Sequence, residues 1–305
     1  MKNVFSLFLI ILSFNALSQN IRFQNVDCKS DWPEPKVSSD SLNRYIKANR
    51  ITAESELEII TIPVVFYVLW HDPSECLDDL QLDELIAELN NCFRCKNIDK
   101  LKPDHPFYKY QADSKIEFKV ITIERAYTDS TIFLNTNNVK KWAYNGGYNG
   151  NFYLNIWVCH CGGRSTSNYP MNEHISKYPT GIVLDYKHII TDSAIRIAVH
   201  EIGHWLGLPH TFGNNGTNLT ETLNGDYGCG NDYIDDTPPQ TYPSYGCPKF
   251  PHDANNVCGS DSNGVMFMNF MDYTDPSYTV MFTWGQVSVM RAVLNTYRKE
   301  LLFVK

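Results

Sequence analysis

The sequence contains no run of lysine and arginine. Its 26 Lys and Arg are outnumbered by 34 Asp and Glu, giving a formal net charge of −8. A nucleic-acid partner, which calls for a basic patch, is not expected. Past the N-terminal segment there is no apolar run approaching the roughly 20 residues that a membrane-spanning helix needs. Internal repeats and low-complexity tracts are also lacking, which sets aside solenoids and fibrous or disordered arrays. The remainder is an ordinary globular composition. The 305 residues are 43% hydrophobic and 20% charged, enough for one large domain or two subdomains around a sizeable core.

The first residues read as a secretory signal. Lys2 supplies the positive charge, Val4 to Leu12 a short apolar run, and Ala16-Leu17-Ser18 the small residues of a cleavage site, so residues 1–18 are expected to be removed. The run is too short for a membrane anchor. A secreted location and no membrane partner follow. Nine cysteines, at positions 28, 76, 92, 95, 159, 161, 229, 247 and 258, imply disulfides in such a compartment. The number is odd, so at least one cysteine is unpaired or pairs between chains.

Residues 19–57 are polar, with Pro33, Pro35 and serines at 38, 39 and 41, and read as a linker or pro-segment. Core-forming material begins near residue 58. Ile59–Leu69 is a nearly continuous β-branched run, as expected of a strand buried on both faces. Leu77–Phe93 carries Leu82, Leu85, Ile86, Leu89 and Phe93 at helical spacing. Ile116–Ile123, Tyr153–Val158 and Gly181–Tyr186 read as further strands. Asp192–Leu206 reads as a helix capped by Thr191 or Asp192. Residues 211–261 are rich in Gly, Asn, Asp, Pro and Cys, so mostly loop is expected there, before a closing helix over Trp284–Phe303. This order predicts an α+β fold with a mixed sheet and helices packed on it.

One eleven-residue stretch carries the chemistry. Residues 200–210 read HEIGHWLGLPH. His200 and His204 are one helical turn apart on one face, as two ligands of a single Zn²⁺ must be. Gly207 can take the left-handed conformation that ends a helix, and Pro209 stops the helix resuming, so His210 can turn back as a third ligand. Three neutral imidazoles leave a fourth position open, the arrangement of a catalytic rather than a structural site. Glu201, beside the first ligand, is the candidate general base for water attacking a peptide carbonyl, and passes the proton on to the leaving amine. A bare H-E-x-x-H arises by chance at roughly the per cent level in a chain this long. Gly and His at fixed offsets lower that to about one in 10⁵ on background frequencies.

HEIGHWLGLPH matches the extended signature of the metzincin metallopeptidases. Asn269-Phe270-Met271-Asp272-Tyr273 then supplies the Met-containing turn that group requires. Within it the sequence resembles the pappalysin family (peptidase family M43), particularly its compact ulilysin-like and cytophagalysin-like members. The resemblance runs from about Ile62 onward through Gly146–Cys159, Gly181–Tyr186, Ile197–Gly213, DDTPPQ (235–240), YGCP (245–248), NFMDYTD (269–275) and MFTWGQ (281–286). It implies a metzincin fold. Residues 58–210 would form an upper subdomain with a twisted mixed sheet, a backing helix and an active-site helix. Residues 211–305 would form an irregular lower subdomain ending in a helix. It implies Met271 as the floor beneath the histidines and the Tyr273 hydroxyl as an oxyanion donor, the alternative being a buried or stacking tyrosine. Peptide or protein substrates would lie extended along an edge strand. Relatives bind calcium near DDTPPQ, which makes Asp232 and Thr237 candidate Ca²⁺ ligands beside Asp235 and Asp236. The alternative is a solvated acidic loop.

Relatives also imply a Cys229–Cys258 disulfide. Cys247 then lacks its usual partner, because Asp275-Pro276-Ser277-Tyr278 holds no cysteine. Cys28, in the pro-segment, is a candidate latency switch that closes the zinc site with its thiolate. A disulfide to the catalytic domain or an inert free thiol are the other possibilities. Asn215-Gly216-Thr217 and Asn218-Leu219-Thr220 fit the glycosylation sequon. A short chain without extra modules suggests a monomer. Two rival functions stand beside the metalloendopeptidase. One is a catalytically silent secreted binding module with structural zinc, against which the retained Glu201 argues. The other is a zinc hydrolase acting on something other than peptides.

Overall fold

The computed structural model describes residues 57–303 except 136–137, 142–147, 171–178, 193, 214–229, 231, 254–257 and 259–262. The expected signal, all but the last residue of the pro-segment, Cys28, Cys229 and both sequons lie outside the described residues.

The sheet has five strands: β1 (Ile60–Trp70), β2 (Ile116–Tyr127), β3 (Leu154–Cys159), β4 (Thr166–Ser167) and β5 (Gly181–Asp185), in the order β2-β1-β3-β5-β4. All pairings are parallel except β4 with β5, which makes the sheet mixed. Parallel strands need cover on both faces, which is why β1 reads as an apolar run rather than an alternation. Its even-numbered residues Ile62, Val64, Phe66 and Val68 belong to one core; Val65, Tyr67 and Leu69 belong to another. The first core also takes in Leu82, Leu85 and Leu89 of helix α1 (Asp79–Phe93), Val199 and Ile202 of α2 (Ile197–Trp205), and Val287, Met290 and Leu294 of α3 (Trp284–Thr296). The second is closed by Phe133, Val139, Trp157, Cys159 and Val183.

Each helix start has a local cause. Asp78 and Gln81 form a capping box on α1, and Thr283 and Gln286 form one on α3. Helix α2 differs from expectation. It begins at Ile197, not Asp192, with Arg196 at its N-cap and no side-chain cap. The preceding residues wind more tightly: Ala194 N–H donates to Thr191 O and Ile197 N–H to Ala194 O, three residues back. The Arg196 guanidinium is drawn sideways onto Glu88 and Asp99. The closing helix is also shorter than expected. It ends at Thr296, because Arg298 is buried, lies 3.9 Å from the Trp205 ring centroid and donates to the Trp205 carbonyl. A 3₁₀ turn, Lys299–Phe303, follows.

The described residues of 230–283 contain isolated bridges instead of strands, such as Gly230 with Gln240 and Asn269 with Met281. A third apolar cluster, including Phe107, Met266, Phe267, Met268 and Met281, holds this part together. The cysteines contribute less than expected. Cys258 is disulfide-bonded, but Cys76, Cys92, Cys159, Cys161 and Cys247 carry free thiols. Cys92, Cys159 and Cys161 are core residues and act as small hydrophobes. Among the described residues no helix is long and apolar enough to cross a membrane.

Candidate metal centre

The centre is built on α2, which presents His200 and His204 from one face, while His210 returns from the turn that follows. That turn is a Schellman motif. Gly207 N–H donates to His204 O and Leu208 N–H donates to Gly203 O. Gly207 has φ +91°, and a Cβ there would lie 2.8 Å from Val293 Cγ2, so both backbone conformation and space require glycine.

The rings are oriented by their outer nitrogens. His200 Nδ1 lies 2.7 Å from the Phe270 carbonyl oxygen, and His204 Nδ1 lies 2.7 Å from that of Leu208. A carbonyl only accepts, so each Nδ1 carries the proton and each Nε2 carries a lone pair. His204 Nε2 is 3.0 Å from both His200 Nε2 and His210 Nε2. Between His200 and His204 this close approach is not a hydrogen bond, because neither Nε2 has a proton to give. Two lone pairs aimed at one point are stable only around a cation. Nitrogens bound to one tetrahedral Zn²⁺ at ~2.0–2.1 Å sit roughly 3.3 Å apart, close to what is found here. Burial pushes the His210 pKa down to about 3, keeping its ring in the neutral, ligating form. Among the described residues these three side chains form the one cluster of His, Cys, Asp or Glu able to hold a metal. The donor set therefore fits zinc.

Glu201 is buried on the same helix, one residue after the first histidine. Met271 is buried against α2, between the turns that carry His200 and His204. A Cβ on Gly203 would fall 2.4 Å from its sulfur, so the glycine inside α2 makes room for the thioether. Gly203 is not flagged by the zinc signature, although a mid-helix glycine, costly by about 1 kcal/mol against alanine, is a visible anomaly. The Tyr273 ring lies beside two of the three histidines, its centroid 4.7 Å from that of His210 and 6.0 Å from that of His200. Phe212 stacks on His210 with an interplanar angle of 9°.

Other residues that hold the centre fall within motifs of the family resemblance, but their contacts are not readable from the sequence. Asn269 and Gln286 exchange two amide hydrogen bonds, 2.8 and 2.9 Å, and Asn269 Oδ1 also accepts from Met271 N–H. The start of α3 is thereby tied to the floor of the centre. Asp272 is fully buried. Its carboxylate accepts from Ser244 N–H, Tyr273 N–H and Gln240 Nε2, while burial pushes its pKa up to about 6. No spacing rule flags such pairs, because the partners are distant in sequence.

The candidate calcium residues lie apart from the histidines. Both carboxylate oxygens of buried Asp232 take contacts from the Thr237 hydroxyl, at 2.7 and 2.8 Å, and Ile234 N–H donates to one of them. Burial pushes the Asp232 pKa up to about 8. Asp236 is engaged elsewhere, accepting from Thr283 Oγ1 and Gly285 N–H at the start of α3. Cys247 is exposed, its sulfur 3.4 Å from Asp275 Oδ2.

Comparison with known proteins agrees with this geometry. The Peptidase_M43 family model, described as pregnancy-associated plasma protein-A, matches residues 134–295. An extracellular metalloprotease of Colletotrichum graminicola is 36% identical over 103 residues, 33% of this chain and 31% of that protein. One of Aspergillus fumigatus is 39% identical over 102 residues, 33% of this chain and 28% of that protein. The matched stretch thus spans about a third of these relatives. Mature mirolysin of Tannerella forsythia, solved with a cleaved peptide, is 32% identical with a TM-score of 0.71, covering 81% of this chain and 97% of that one. A promirolysin variant of the same organism is 31% identical with a TM-score of 0.73, covering 86% and 89%.

Gly207→Ala is expected to destabilise the fold by about 1–2 kcal/mol for the left-handed backbone alone, with more for the clash at Val293. Urea unfolding measures this, and Zn²⁺ affinity should fall with it as His210 is displaced. Unchanged stability and affinity would refute the role given to this turn.

Proposed function

Given that the chain belongs to the peptidase M43 family, we propose that it is a secreted zinc metalloendopeptidase that hydrolyses peptide bonds in protein or peptide substrates. The observation that carries this reading is the convergence of Nε2 lone pairs imposed by the carbonyl partners of His200 and His204. His200, His204 and His210 would hold one zinc. Bound there, it supplies a Lewis acid that polarises a carbonyl and makes water acidic enough to attack at neutral pH.

The chain's own groups do the rest. Glu201 takes the proton of the attacking water on its carboxylate and delivers it to the leaving amine, a transfer worth roughly 10²–10⁴ in rate. Tyr273, beside the His200 and His210 rings, donates its hydroxyl to the developing oxyanion. Met271 supplies the apolar floor. Substrate lies extended along β4, the last strand in the sheet order, between subdomains formed by residues 58–210 and 211–305. Residues 1–18 serve as signal, residues 19–57 as pro-segment, and the mature protein works as a monomer. The names of the relatives support secretion. The rival reading of a silent module leaves the buried Glu201 without a role.

Purified mature protein should digest casein, and a zinc chelator should abolish the activity. Glu201→Ala should keep Zn²⁺ and lose cleavage by at least ~10²-fold. Activity persisting in that variant would overturn the mechanism.

A structural Ca²⁺ held by Asp232 and Thr237 belongs to the same reading, since a carboxyl this deeply buried would ionise at neutral pH only beside a cation. The folded state holds the Asp232 proton up to pH about 8, the unfolded chain only to about 3.8. Without Ca²⁺, stability should therefore fall as pH rises through that window. Asp232→Asn should flatten the fall, and Ca²⁺ should raise the melting temperature of the wild type alone. Identical pH profiles for the two proteins would refute the assignment.

Cys28 would close the centre in the precursor with its thiolate. Cys28→Ser should then give a precursor active before cleavage; one that stays latent excludes the switch.

A further inference from the structure

Tyr169 lies two residues past β4, fully buried, with its ring centroid 5.2 Å from that of His204. Its hydroxyl oxygen lies 2.8 Å from His204 Nδ1, the nitrogen that also faces the Leu208 carbonyl at 2.7 Å. Because Nδ1 carries the proton, the tyrosine oxygen is its second acceptor. The segment carrying Tyr169 is itself held on both sides. Asn168 N–H donates to Gly181 O at 3.2 Å, and the buried Lys140 ammonium donates to Asn168 Oδ1 at 2.6 Å. Pro170, next along, packs beside Gly207. Residues 166–170 thus run from the edge strand directly onto the turn that aims the ligands.

We propose that Tyr169 is a positioning residue that ties β4 to the metal centre, its hydroxyl oxygen fixing the His204 ring so that Nε2 faces the zinc. The inference rests on the zinc reading above. It adds a mechanical link that neither the histidine signature nor the Met-containing turn describes. Residues 166–170 thus include both the edge strand proposed to pair with substrate and the hydroxyl that orients a ligand. Outer partners of ligating histidines fix tautomer and ring orientation.

Tyr169→Phe keeps the ring and removes the oxygen. The variant should release Zn²⁺ to a competing chelator about 10-fold more readily, at the low end for outer-shell partners. Its kcat should fall while KM stays within about twofold, because the lost interaction orients the metal and does not hold substrate. In zinc-loaded protein labelled with ¹⁵N-histidine, the Nδ1–H resonance of His204 should move and that of His200 should stay. The melting temperature of the zinc-free form should be unchanged. Wild-type Zn²⁺ affinity, or a rise in KM with kcat intact, would overturn the proposal. A zinc-free variant that melts well below the wild type would overturn it in favour of a packing role. A wild-type protein that binds no zinc through the three histidines would instead sink the metal reading, and the wild-type titration shows this before any variant is compared.

Discussion

Two hydrogen bonds from imidazole nitrogens to backbone carbonyls govern this molecule. His200 donates from Nδ1 to Phe270, and His204 donates from Nδ1 to Leu208. Each bond fixes a tautomer, and together they leave Nε2 lone pairs facing one another at 3.0 Å. The arrangement is unfavourable until a cation enters, so the fold specifies both the charge and the size of what it holds. The two carbonyls come from different places. One lies in the turn closing α2, the other in the Met-containing turn, seventy residues after His200 in the chain. Correct ring orientation therefore requires that both halves of the molecule be assembled.

The second half is held by polar pairs rather than by regular structure. The amide pair of Asn269 and Gln286 joins the start of α3 to the Met271 backbone, and Asp272 gathers Ser244, Tyr273 and Gln240. Buried polar pairs of this kind favour one arrangement of a loop-rich region where apolar packing alone would permit several. The exposed thiol of Cys247 beside Asp275 marks a place where this chain uses a polar contact although the family resemblance suggests a disulfide.

What is legible in the sequence follows a period or a spacing. The β-branched run of β1, the apolar positions of α1 and the eleven residues from His200 each obey a local rule. The start of α2 lies five residues beyond the expected one because Thr191 and Asp192 look like caps, whereas Arg196 is drawn onto Glu88 and Asp99, partners about a hundred residues away. The end of the closing helix departs from expectation for the same reason: Arg298 is committed to Trp205, which no window around residue 298 contains. The two-residue β4 is too short to leave a pattern, yet it carries the chain to Tyr169. The cysteine count suggests more cross-links than the described residues contain, since a buried thiol and a half-cystine look alike as letters.

The Arg298 contact also has a temporal meaning. Its guanidinium covers the Trp205 indole and donates to the last carbonyl of α2, from a position ninety-three residues further along. Val293, on the same terminal stretch, packs against Gly207. During synthesis the chain emerges from its N-terminus, so the histidines are exposed long before the residues that brace their helix exist. The helix that carries the first two histidines therefore stays unbraced until the chain has been made as far as Arg298, by the order of its letters alone.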